Sequence, residues 1–216
     1  MRPIRSYVLR QGRTTPAQQR ALDELYPKYG VPLTSKLSSE RPLVLEIGSG
    51  MGETTIAIAK AHPEADFVAV EVHGPGVGSL LNAIEREKLA NVRVIRHDAV
   101  EVLEQMIADE SLAAIHLFFP DPWPKKRHHK RRLVQPALAG LMARKLAPGG
   151  ILHAATDWPD YADHMEAVLR AEPLLEQSDN GFADRPLTKF ESRGQRLGHP
   201  IRDLRFRRRQ RAPAAR

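Results

Sequence analysis

Residues 43–55 read LVLEIGSGMGETT. An apolar run, Leu43 to Ile47, meets three glycines at 48, 50 and 52, and a helix-like pattern begins where they end. Glycine has no Cβ, so such a turn bends sharply and brings backbone N–H groups close to a ligand. A strand, a glycine turn and a helix in succession open a βα unit. The rest of the chain decides whether the unit repeats.

It does. DFVAVEV (66–72), NVRVIRH (91–97), LAAIHLFF (112–119) and GILHAAT (150–156) have strand length and a strand's share of Val, Ile, Leu and Phe. Helix-like segments near 52–62, 76–89, 99–108, 130–147 and 158–171 lie between and after them. Asp98-Ala-Val-Glu101 has capping-box spacing, and Pro148-Gly-Gly150 ends the fourth segment. Alternation of this kind predicts an α/β domain, a doubly wound and mostly parallel sheet with helices on both faces. Ligands in such folds sit at the carboxyl ends of the strands.

The 216 residues suffice for one substantial core, and 42% hydrophobic with 27% charged residues is ordinary for a soluble protein. The absence of cysteine excludes disulfides, thiolate nucleophiles and Cys-based metal sites. No apolar run approaches the roughly 18 residues of a membrane span, and the basic N-terminus lacks a secretory apolar stretch. A cytoplasmic protein is expected. The nine histidines show no metal-ligand spacing, so no metal is expected.

The net charge of +7 is unevenly placed. Residues 125–132 hold six Lys or Arg and no acid, residues 205–216 hold six Arg, and residues 1–22 hold five Arg. Such fields attract polyanions. Residues 1–40 read as a flexible basic arm with at most one short helix, 41–206 as the catalytic domain, and 207–216 as a disordered tail.

Each strand end offers an acid or a turn. A dinucleotide G-x-G-x-x-G needs glycine at 53, where this chain has Glu53, a poor neighbour for a pyrophosphate. The G-x-G-x-G form behind Glu46 suits a cationic ligand such as S-adenosylmethionine. Glu71 lies where a carboxylate grips ribose hydroxyls. Asp98 either accepts from an adenine amino group or caps the next helix. In FFPDPWP (118–124), three prolines hold Asp121 and Trp123 rigidly, as an acid and a stacking face for a nucleobase. Asp157 in ATDWPDY (155–161) repeats the acid–Trp pattern, with N-capping as the alternative.

The glycine turn, Glu71 and above all PDPWPKKRHHKRR (120–132) and TKFESRG (188–194) resemble the bacterial tRNA (guanine-N7-)-methyltransferases, the TrmB family. The likeness runs nearly the whole chain. It implies a class I, Rossmann-like fold and transfer of a methyl group from S-adenosylmethionine to N7 of guanosine 46 in the tRNA variable loop. It further implies that Glu46, Gly48, Gly50, Gly52, Glu71, Asp98 and Asp121 form the cofactor site, with Asp121 catalytic. Lys125, Asp157, Thr188, Lys189, Phe190 and Glu191 would contact substrate RNA. Arg127, His128, His129, Lys130, Arg131 and Arg132 would face the tRNA. Monomer and homodimer both stay open. The competing readings are a methyltransferase for DNA adenine or rRNA, a nicotinamide-dependent dehydrogenase, and a non-enzymatic RNA-binding protein on the same fold.

Overall fold

A computed structural model describes residues 6–7, 12–186 and 201–210. Strands β1 (Leu43–Ile47), β2 (Asp66–Val70), β3 (Val92–Ile95), β4 (Leu112–Phe118) and β5 (Leu146–Thr156) all run parallel. Helices α3 (Glu53–Ala61), α4 (Gly74–Glu87), α5 (Ala99–Gln105), α6 (Pro136–Lys145) and α7 (Pro159–Ala171) accompany them. Two further strands, β6 (Leu175–Gln177) and β7 (Arg202–Arg208), complete a sheet of order β3-β2-β1-β4-β5-β7-β6. β7 is antiparallel to both of its neighbours. Among the described residues, no helix is long and apolar enough to cross a membrane.

The apolar runs are continuous because the central strands are covered on both faces. Leu45, Ile47, Val68, Val70, Ile115, Leu117, Leu152 and Ala154 point into one core with α5, α6 and α7. Val44, Phe67, Ala69, Ala114, Phe118 and Ala155 alternate into a second core with α1, α3 and α4. Strand order reverses between β1 and β4, which opens a crevice above their carboxyl ends.

Three regions differ from the sequence expectation. Residues 13–40, expected as a flexible arm with at most one short helix, hold two helices, α1 (Pro16–Glu24) and α2 (Tyr26–Tyr29). α1 starts on a capping box between Thr15 and Gln18, and it packs on α4. There Gln18 Nε2 donates to Ser79 Oγ at 2.9 Å, and Asn82 Nδ2 donates to the Ala17 carbonyl at 3.2 Å. The helix expected over 130–147 begins only at Pro136, because Gln135 before it is extended (φ −126°, ψ 161°). Residues 126–131 form a 3₁₀ turn instead. Finally, β7 carries ordered chain through Arg208, past the tail boundary expected at 207.

Gly52 caps α3 at φ 84°, and a Cβ there would meet Leu80 Cδ1 at 2.4 Å. Gly52→Ala combines left-handed strain with a clash against the second core. It should cost about 3 kcal/mol of stability, read as a lowered urea midpoint.

Candidate active site

The loop from β1 to α3 walls a cavity of about 240 Å³, lined by Glu46, residues 48–54, Phe118 and Phe119. Gly48 and Gly50 are both left-handed, and a Cβ on either would meet open space. A ligand can therefore lie against that backbone. Glu46 is only 4% exposed, and its carboxylate accepts one side-chain hydrogen bond, from Thr55 Oγ1 at 2.7 Å. Burial pushes its pKa up to about 7; the Thr55 bond opposes the shift, and the charge of Glu71 adds to it. A buried carboxyl short of counter-charge fits a cationic group and not a phosphate.

A second cavity, about 290 Å³, shares Gly48, Phe118 and Phe119 with the first. Glu71, Asp98 and Asp121 line it from the ends of β2, β3 and β4, and Ser6 and Tyr7 close one side. Glu71 Oε1 accepts from the N–H groups of Val72 (2.7 Å) and His73 (2.8 Å), and Oε2 from Gly50 (2.8 Å). Asp98 Oδ1 accepts from Val100 N–H at 2.9 Å, so this acid caps α5 and lines the cavity at once. Asp121 stands at the mouth, where partial burial raises its pKa.

The proline turn around Asp121 is bracketed by backbone strain. Phe119 (φ 52°) and Trp123 (φ 46°) are left-handed although neither is glycine. Trp123 is not a bare stacking platform: its indole N–H donates to the Ser6 carbonyl at 3.0 Å. The Arg131 guanidinium lies 4.9 Å from its ring centroid, and the His128 ring meets it edge-on at 5.8 Å.

The basic strip divides by exposure. Lys125, Lys126, Arg127 and Lys130 are exposed, while His128, His129 and Arg131 are half-covered. Desolvation, then the neighbouring cations, lower the His128 pKa. Arg132, expected to face tRNA, turns inward and is 3% exposed. It donates to the Pro122 carbonyl at 3.0 Å, pairs with Asp160 and lies over the Tyr161 ring. It bolts the turn to α7.

Asp157 ends β5, next to β4, but lines neither cavity. It does not cap α7 either; Trp158 N–H is accepted by Thr156 Oγ1 at 3.2 Å. Thr188, Lys189, Phe190 and Glu191 lie outside the described residues. Sequence reasoning missed Phe118 and Phe119 as the wall common to both cavities, although their place at the end of an apolar strand was the available signal. It also missed Thr55, one of two adjacent threonines on α3, with nothing in the sequence to mark which would reach Glu46. Among the described residues, no group of three or more His, Asp or Glu side chains is placed to hold a metal.

The crevice, the glycine turn and the acids at successive strand ends define an α/β fold of the methyltransferase class. Solved structures agree on the fold. They include a precorrin-6y C5,15-methyltransferase from Geobacter metallireducens (TM-score 0.56, 11% identity, 95% of this chain and 98% of that one). An rRNA methylase from Streptococcus thermophilus matches with TM-score 0.54 and 12% identity over 92% of this chain and 100% of that one. A family model described as "Putative methyltransferase" matches residues 40–204. A tRNA (guanine-N(7)-)-methyltransferase of Nitrosomonas europaea is 56% identical over 94% of this chain and 96% of its own. One from Methylobacillus flagellatus is 57% identical over 96% and 92%. The chain belongs to the tRNA (guanine-N(7)-)-methyltransferase family.

The raised pKa of Glu46 sets a pH dependence. Its folded value, about 7, lies above the ordinary 4.5. The stability it contributes is therefore present in full below pH 4.5 and is lost as pH rises through 7. At pH 8 the ionised group costs the ligand-free protein about 3 kcal/mol. Glu46→Gln removes that cost, so urea unfolding should show the variant matching the parent at pH 4 and exceeding it at pH 8.

Proposed function

We propose that this protein transfers the methyl group of S-adenosylmethionine to N7 of guanosine 46 in the variable loop of tRNA. The observation that carries the reading is the placement of four acids. Glu46, Glu71, Asp98 and Asp121 come from the ends of β1, β2, β3 and β4 around two joined cavities, with the exposed cations 125–130 directly beyond Asp121. Relatives bearing that activity in their names, at 56–57% identity, support it. A tRNA substrate places the enzyme in the cytoplasm.

When bound, S-adenosylmethionine supplies an electrophilic methyl on a sulfonium. Glu46 offers its buried carboxylate to that ligand's positive end. Beside its three backbone bonds, Glu71 keeps one lone pair, on Oε2, for a ribose hydroxyl. Asp98, fixed as a cap, offers its second oxygen to an amino group. Guanine N7 carries an in-plane lone pair and no proton, so no general base is needed there. Positioning and charge stabilisation remain to be supplied. Positive charge moves onto the guanine as the methyl transfers, and Asp121 faces the cavity to stabilise it. Lys125, Lys126, Arg127 and Lys130 meet phosphates, which gives affinity and orientation rather than sequence readout. A nicotinamide dinucleotide fits less well, because its pyrophosphate would meet Glu46 from below and Glu53 in the first turn of α3.

Labelled S-adenosylmethionine and an unmodified tRNA transcript provide the first test. Nucleoside mass spectrometry should find N7-methylguanosine, and a transcript with another base at 46 should yield none. Methylation of a different nucleoside would remove the substrate assignment. Asp121→Asn keeps shape and removes charge; its kcat should fall about a hundredfold with little change in tRNA affinity. Parent-like turnover would refute the electrostatic role.

A further inference from the structure

Behind the wall shared by the two cavities, Glu46 continues into a buried polar cluster whose other members, His116, His153, Arg185 and Asp203, none of the roles above uses. Glu46 on β1, His116 on β4 and His153 on β5 are cross-strand neighbours in register, so their side chains share one face of the sheet. His153, 0% exposed, shares a 2.7 Å hydrogen bond between Nε2 and Asp203 Oδ1 of β7. Arg185, its side chain 5% exposed, donates from Nε to Oδ1 and from a terminal nitrogen to Oδ2 of the same carboxylate, both at 3.1 Å. Asp203 is thereby held well below the usual carboxylate range: burial alone would raise it, but the bonds from His153 and Arg185 outweigh burial.

These groups box in the cavity wall. The Phe118 ring meets His153 edge-on at 5.1 Å and stacks on His116 at 5.1 Å. The Arg185 guanidinium lies 5.8 Å from the Phe118 centroid and 5.1 Å from that of Phe119. Two of these groups, His153 and Arg185, thus bond the same carboxylate. An aromatic wall stays in one place only if its own neighbours cannot turn. Asp203→Asn would weaken the two-point contact that orients Arg185 and the charged acceptor that orients His153, so both groups could shift against the rings.

We propose that Asp203 is a positioning residue for the cofactor site, fixing Phe118 and Phe119 through His153 and Arg185. The inference rests on the proposed use of these cavities by S-adenosylmethionine. It concerns a residue on the antiparallel edge, beyond the strands that carry the four acids.

The test is a double-mutant cycle on S-adenosylhomocysteine affinity, measured by calorimetry with Asp203→Asn, Phe118→Leu and the pair. Thermal unfolding establishes that each variant is folded at the assay temperature. Each single change should weaken binding about tenfold, and the pair no more than either alone, because both act through the same ring. Affinity for unmodified tRNA without cofactor should stay within about twofold, which a general loosening of the fold would not respect. Unchanged S-adenosylhomocysteine affinity, additive effects, or an equal loss of tRNA affinity would overturn the proposal. If Asp203→Asn does not fold, Arg185→Lys carries the same test, since it keeps the charge and loses the two-point contact. A parent protein that binds S-adenosylhomocysteine yet leaves tRNA unmethylated removes the substrate reading, and the cycle still decides this one. A parent that binds no S-adenosylhomocysteine removes both.

Discussion

One carboxylate joins the two halves of the ligand crevice. Glu71, at the end of β2, accepts the N–H groups of Val72, His73 and Gly50, so the glycine turn after β1 is tied to the chain that enters α4. Three donors on one buried acid satisfy backbone groups that would otherwise be stranded at the sheet's edge. With the loop fixed there, Gly48 and Gly50 turn their open sides to the ligand. Both cavities and the mouth at Asp121 follow from that fixed loop.

The alternation of apolar runs and helical stretches made the five parallel strands legible, because a strand covered on both faces must be apolar along its whole length. The acids were legible for a related reason: a carboxyl at the end of such a run stands on the crevice side of the sheet, as Glu71, Asp98 and Asp121 do, although Asp157 lines neither cavity. The antiparallel edge was not. In RDLRFRR, β7 buries Leu204 and Phe206 but places Arg205 between them and other arginines around them, and the high charge hid the two-residue period. The helix α1 could have been read, since Thr15-Pro-Ala-Gln18 is a capping box with proline at its first position. Arg132 could not, since nothing in a run of like charges marks the one side chain that turns inward.

Charge counted along the chain overstates the cationic surface. On and just after β7, Arg207 and Arg209 pair with Glu176, and Arg208 pairs with Glu110; Arg202 reaches Asp163 and Glu166 on α7. Exposed pairs of this type add little stability, but they cancel the local field. Among the described residues, the exposed cations Lys125, Lys126, Arg127 and Lys130 make no such pair, and they follow Asp121 at the mouth of the crevice. A polyanion approaching from solution is therefore drawn to the surface beside Asp121.

The protein's two tryptophans, Trp123 and Trp158, both follow an acid at the end of a strand, and those strands, β4 and β5, are neighbours. Trp123 is held between the Ser6 carbonyl, the His128 ring and the Arg131 guanidinium, all close enough to influence an excited indole. An arginine drawn from that ring to a phosphate would change the light the ring emits. The fold thus carries its own optical reporter at the carboxyl end of its two central neighbouring strands, and nowhere else along the chain.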